Sequence, residues 1–143
     1  MNHAKTPLLC GIDILLDLHE LEKSKLRQLS NELRMAPAVD ARFAKPLDTE
    51  LAERLVNEHE IIITIEEASI GGFATQAFEH LARNDLIQND LKMRSKHLTD
   101  RFQDQASPLD MYNDAELNAS HIVQTALRTR GAEETAADIE VSA

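Results

Sequence analysis

The sequence predicts an α/β fold, a three-layer α/β/α sandwich around a mostly parallel sheet, and three observations carry that expectation. Ile61, Ile62, Ile63, Thr64 and Ile65 form an unbroken β-branched run. A strand with one wet face alternates, so a run without alternation reads as a strand covered on both faces, inside a parallel sheet. Residues 91–98 do alternate, with Leu91, Met93 and Ser95 on one side, which suits a strand nearer the sheet edge. Near these strands, Phe73, Ala77, Phe78 and Leu81 return at the three-and-four spacing of an amphipathic helix over 73–83. Strands and helices taking turns argue for parallel strands with helices packed on the sheet.

The remaining elements follow in order. Ile12, Leu15, Leu16, Leu18, Leu21, Leu26, Leu29 and Leu33 mark an amphipathic helix over 12–33, and Pro37 closes that segment because proline cannot extend a helical ladder. A short extended piece over 38–43 comes next. Asp48 is the residue type that caps a helix start, ahead of Glu50, Leu51, Leu55 and Val56. Gly71 and Gly72 mark a turn. Ser107 and Pro108 open a further helical stretch, since proline in the first turn lacks only a donor that has no partner there. Helices are expected over 109–117 and 119–130, the second closed by Gly131. The tail, 132–143, is acidic and alanine-rich with few large apolar groups, which predicts a frayed end. The organisation expected is therefore an N-terminal segment over 1–37, a core over 38–131 and a flexible tail over 132–143.

Composition excludes several function classes. The chain has 143 residues, 43% of them apolar, which suits one domain with one ordinary core. Its formal charge of -10 opposes approach to phosphate backbones and anionic lipid, so neither nucleic acid nor membrane is expected as a partner. Cys10 is the sole cysteine, which leaves no internal disulfide and no thiolate metal cage. Asp13, Asp17, His19 and Glu20 interrupt the N-terminal apolar run, which lacks a signal-peptide pattern, so a cytoplasmic protein is expected.

Candidate site residues gather at predicted strand ends. Glu66 and Glu67 follow the isoleucine-rich strand, where the crevice of an α/β sheet opens. Adjacent glutamates suggest acid–base work, yet successive strand residues point to opposite faces, which favours helix capping, loop hydrogen bonds or a subunit contact. Gly71 and Gly72 lack the lysine and the spacing of a phosphate loop, so close backbone packing is the simpler reading. Arg42 and Lys45, preceded by Asp40, suit either an anionic ligand or ion pairs with Asp40, Asp48 or the nearby glutamates. The 6 histidines show no pair at helical ligand spacing, and no metal site is expected.

Four strings resemble one family. Residues 39–48, read Val-Asp-Ala-Arg-Phe-Ala-Lys-Pro-Leu-Asp, look like the string that opens the second half of the C-terminal, transketolase-like domain of 1-deoxy-D-xylulose-5-phosphate synthases. Residues 63–73 resemble that family's TxEE element and glycine pair. Thr99, Asp100, Arg101 and Phe102, followed by Ser107 and Pro108, resemble its PDRF string and helix start, and Glu116, Leu117 and Asn118 with Ile122 resemble its final GLD helix. Leu8–Gly11 is the candidate for the family's apolar first strand and glycine turn.

The resemblance implies a transketolase C-terminal fold and, for the whole synthase, thiamine-diphosphate-dependent joining of pyruvate to glyceraldehyde 3-phosphate in isoprenoid precursor synthesis. It also implies that thiamine diphosphate and magnesium bind in other domains. The GDG motif, the activating glutamate of the pyrimidine domain and the RYPRG string are absent from this chain. No catalytic, cofactor-binding or metal residue is therefore expected here. Asp40, Arg42, Lys45, Glu66, Glu67, Gly71, Gly72, Asp100 and Arg101 are expected as structural or interface residues. The partners implied are the missing synthase domains or a second copy of the chain; a repurposed binding domain is the alternative. Ala74, Thr99 and Glu116 stand where the family pattern has glycine, proline and glycine; Thr99 frees a backbone dihedral, and Ala74 and Glu116 are each expected to strain the turn if a positive φ is needed there.

Overall fold

The structure is a computed structural model that describes residues 8–11, 39–88 and 90–138. The helix expected over 12–33 lies outside the described residues. Among them, four strands form one sheet: β1 (Leu8–Gly11), β2 (Val39–Asp40), β3 (Ile61–Ile65) and β4 (Lys92–Lys96), in the order β2-β1-β3-β4. Every pairing is parallel. The candidate first strand therefore completes the sheet, and it does so from inside, between β2 and β3. Sheet pairing thus reaches beyond the core expected over 38–131.

Helices α1 (Thr49–Glu58), α2 (Phe73–Arg83), α3 (Pro108–Asp114), α4 (Ala119–Arg130) and α5 (Glu133–Ala137) complete the described elements. The β3 run is buried at every position, and its side chains divide by parity, as a pleated strand requires. Ile62 packs with Leu55 and Val56 of α1 and with Phe73, Ala77 and Leu81 of α2. Ile61, Ile63 and Ile65 pack with Leu117, Ile122 and Ala126. Two apolar layers on opposite faces of one strand make the three-layer sandwich that the sequence predicts.

Local chemistry sets the helix ends. The Asp48 carboxylate accepts from the Leu51 N–H at 2.9 Å, and Ser107 Oγ accepts from the Asp110 N–H at 3.2 Å. Each satisfies a donor that the first helical turn leaves unpaired. Gly131 closes α4 at φ 93, a backbone conformation that costs glycine little. The edge strand β4 has the sequence Lys-Met-Arg-Ser-Lys, and charged side chains on an open edge discourage pairing with another chain.

The expectation of a frayed tail over 132–143 is corrected for its described part, residues 139–143 lying outside the described residues. Residues Glu133–Ala137 form α5, and Ala136, 0% exposed, packs against Val123 and Leu127 of α4. A methyl group is enough here, because a small side chain lets the two helices approach closely.

Candidate functional site at the carboxyl edge of the sheet

Gly11 pairs with both Asp40 and Ile65, and Ile65 pairs with Lys96, so all four strands end level. The loops that follow β2, β3 and β4 share one edge. In open α/β sheets this edge holds the ligand crevice, at the point where the strand order reverses, which for this order lies between β1 and β3. Glu66 stands at that point.

Glu66 is 4% exposed, and both its carboxylate oxygens are engaged. Oε2 accepts from the Phe73 N–H at 2.6 Å and Oε1 accepts from the Ala74 N–H at 3.0 Å. Those donors open α2, whose cap residue Gly72 has no side chain to offer them. A buried carboxylate thus meets the free amides and the positive dipole end of a helix, the arrangement that offsets its desolvation. Glu67 points the other way, into solvent, and accepts from the Tyr112 hydroxyl of α3. Glu66 thus caps a helix, whereas the partner of Glu67 is a helical side chain and not a loop.

The two glycines serve different ends. Gly71 has φ 99 with open space around it, whereas a methyl at Gly72 would overlap Glu66 Oε2. Close packing is therefore the role of Gly72, and backbone conformation that of Gly71.

The β2 exit is built differently. Arg42 has φ 58, and its N–H donates to Asp40 Oδ1 at 2.8 Å. The side chains of Arg42 and Lys45 are exposed, and among the described residues neither makes the ion pair with Asp40, Asp48 or a glutamate that the sequence suggested. The turn directs Asp40 onto the backbone and leaves both cations in solvent. Asp100 is exposed, while Arg101 Nη2 meets both carboxylate oxygens of Asp114 at 2.5 and 2.6 Å. That hydrogen bond holds the Asp114 carboxyl below its usual range.

Sequence reasoning missed a polar group between β4 and α4. Lys96 Nζ donates to Glu116 Oε2 at 2.9 Å, which lowers the Glu116 pKa, and His121 lies close enough to feel both charges. Burial holds the His121 pKa below its ordinary 6.5, against the pull of Glu116. Among the described residues the buried Nδ1 of His121 has no hydrogen-bond partner. The only sequence signal was a histidine in the first turn of an otherwise apolar-faced helix.

Stability should therefore fall with pH in two windows. Each of these three groups has a folded pKa below its unfolded value, so each contributes stability above the unfolded pKa that is lost as pH drops through the folded one. His121 acts first, below its ordinary 6.5, and Glu116 and Asp114 act below 4.5 and 3.8. Urea unfolding midpoints measured between about pH 7 and about pH 5 should decline for the native chain and stay nearly level for His121→Gln. A native midpoint that is flat over that range would show that the imidazole is not held neutral.

Of the three family departures, only Glu116 takes a left-handed backbone, at φ 56. Ala74 is a buried residue of α2 without a positive φ, so the strain expected there is absent, and Thr99, which replaces a proline, has no positive φ either. Glu116→Gly and Glu116→Ala both remove the Lys96 ion pair, yet only alanine keeps the strain. Thermal or urea unfolding should find the glycine variant more stable by about 1 kcal/mol. Equal stabilities would place the strain elsewhere.

Fold and edge together define a doubly wound parallel domain whose crevice carboxylate is spent on its own helix. Residues 26–122 match the family model for the transketolase C-terminal domain, and the chain belongs to that family. Within it the chain resembles the C-terminal domain of 1-deoxy-D-xylulose-5-phosphate synthase. It is 43% identical over 119 residues to 1-deoxy-D-xylulose-5-phosphate synthase 2 of Jannaschia sp. (strain CCS1), an alignment covering 82% of this chain and 19% of that protein. It is 45% identical over 92 residues to the probable chloroplastic 1-deoxy-D-xylulose-5-phosphate synthase 2 of Oryza sativa subsp. japonica, over 64% of this chain and 13% of that one. The chain thus spans less than a fifth of the length of these curated relatives. Among solved structures, a split-gene transketolase described as an inactive β4 tetramer shares the fold, with TM-score 0.64 and 22% identity over 89% of this chain and 41% of that one.

Proposed function

We propose that the chain is a non-catalytic assembly module of a 1-deoxy-D-xylulose-5-phosphate synthase-like enzyme, packing against domains that bind the thiamine cofactor. The observation that carries this reading is Glu66: among the described residues it is the one buried carboxylate at the crevice, and it already accepts two backbone hydrogen bonds. Among the described residues no group of three or more His, Cys, Asp or Glu side chains lies close enough to hold a metal ion. Thiamine diphosphate supplies the carbanion chemistry of such a synthase, and the family resemblance assigns its seat to other domains, so this reading gives the present domain a supporting role. A split-gene transketolase has the same fold in one of its chains, and a division of labour between two chains suits the present one. The cytoplasm is the compartment this reading assigns; among the described residues no helix is long and apolar enough to cross a membrane.

The test is reconstitution. Co-expression with a chain carrying the diphosphate- and pyrimidine-binding domains should yield product from pyruvate and glyceraldehyde 3-phosphate at a rate neither chain reaches alone. If the pair is no more active than its parts, the assembly reading loses its support. A melting shift of the isolated chain with a phosphorylated ligand would point instead to an independent binding domain.

A further inference from the structure

We infer that the corner formed by Arg42, Phe43, Lys45 and Ile70 is the surface through which the domain docks, and that it fits a protein partner presenting an apolar recess edged with carboxylates. This rests on the assembly reading and adds to it a face and a chemistry. Phe43 follows β2 and Ile70 follows β3, on the edge where those strands end level. They are 64% and 66% exposed. The two exits approach each other, since Ala41 and Phe73, close to those residues in sequence, line one small apolar pocket. Strands two steps apart in a sheet are separated by about 10 Å, so one partner surface spans both side chains.

The cations beside Phe43 give the patch its sign. Arg42 and Lys45 are exposed and make no ion pair with any described carboxylate, on a chain whose formal charge is -10. Arg42 also holds φ 58, where glycine or asparagine would be less strained. A strained arginine with no ion-pair partner among the described residues, next to an exposed aromatic, is the kind of local cost that a recognition role explains. A free phosphate would need the cations but not Phe43 or Ile70. A second copy would bring another chain of charge -10, which long-range repulsion opposes.

Calorimetric titration of the full chain against a chain carrying the diphosphate- and pyrimidine-binding domains of a synthase tests the inference. Arg42→Glu combined with Phe43→Ser should weaken Kd by about 50-fold or more, and Ile70→Ser by about tenfold. Ile87→Ser, an exposed apolar site outside this corner, should change Kd by less than about threefold. Arg42→Gln, which removes the charge but keeps a polar hydrogen-bonding side chain, should lower the salt dependence of Kd. Unchanged unfolding midpoints in each variant show that the fold persists.

Native binding that the corner variants leave intact would overturn this face and leave the assembly reading standing. No native binding would overturn both. Competition by inorganic phosphate that ignores Phe43→Ser, or native self-association lost in the corner variants, would each overturn the proposed partner.

Discussion

Gly72→Ala is expected to destabilise the domain by about 2–4 kcal/mol, several times the cost at its neighbour. The added methyl would overlap Glu66 Oε2 and lie 2.9 Å from Glu66 Cδ, so the carboxylate has to leave its seat. Leaving strands a buried negative charge and frees the Phe73 and Ala74 amides that it satisfied. Gly71→Ala meets no atom within 4 Å and pays only for φ 99, about 1 kcal/mol. Chemical unfolding of both variants measures the contrast. The mechanism is isolated by a double-mutant cycle with Glu66→Ala: once the carboxylate is gone, alanine at 72 keeps only a tight 3.0 Å approach to Ala68 Cβ and should cost much less, giving a coupling of more than about 1.5 kcal/mol. Strict additivity would mean that the glycine matters for some other reason.

That pair also shows where sequence reading stops. The carboxylate and its donors are seven and eight residues apart, and no periodicity links them. Capping was among the roles that Glu66 admits, but which amides it reaches depends on how the turn folds back. Features governed by neighbours were legible: Asp48, Ser107 and Gly131 do what their residue types do at helix ends. The isoleucine run was legible because burial on both faces removes alternation.

Contacts between distant segments were not legible. Tyr112 reaches Glu67 across 45 residues, and Lys96 reaches Glu116 across 20. The place of Leu8–Gly11 between β2 and β3 is set by pairing, which a four-residue string does not encode. The helix expected over 109–117 stops at Asp114, since Glu116 turns to φ 56 and cannot continue it. The tail was misread because alanine gives a weak apolar signal. Ala136 is nonetheless 0% exposed, its small size being what lets α5 sit on α4.

Ile63→Ala should cost about 3–5 kcal/mol, comparable to the largest losses from core truncation. Ile63 is 0% exposed in a strand paired on both sides, and its side chain packs among Leu117, Ile122 and Ala126. Three carbons removed there leave a cavity whose walls, a sheet on one side and α4 on the other, have little room to collapse. Met93→Ala, on the edge strand and only partly buried, should cost less than about 2 kcal/mol. A domain of this size has about 5–15 kcal/mol in total, so urea titration at low temperature is the suitable measurement for Ile63→Ala. Combining Ile62→Ala with Ile63→Ala empties both layers at once and should leave no cooperative transition. Glu66 immediately follows this strand, so a loosened β3 also unseats the cap on α2 and the exit loop carrying Ile70. A loss below about 1 kcal/mol at Ile63 would contradict an interior position for this strand, and with it the placement of everything at the carboxyl edge.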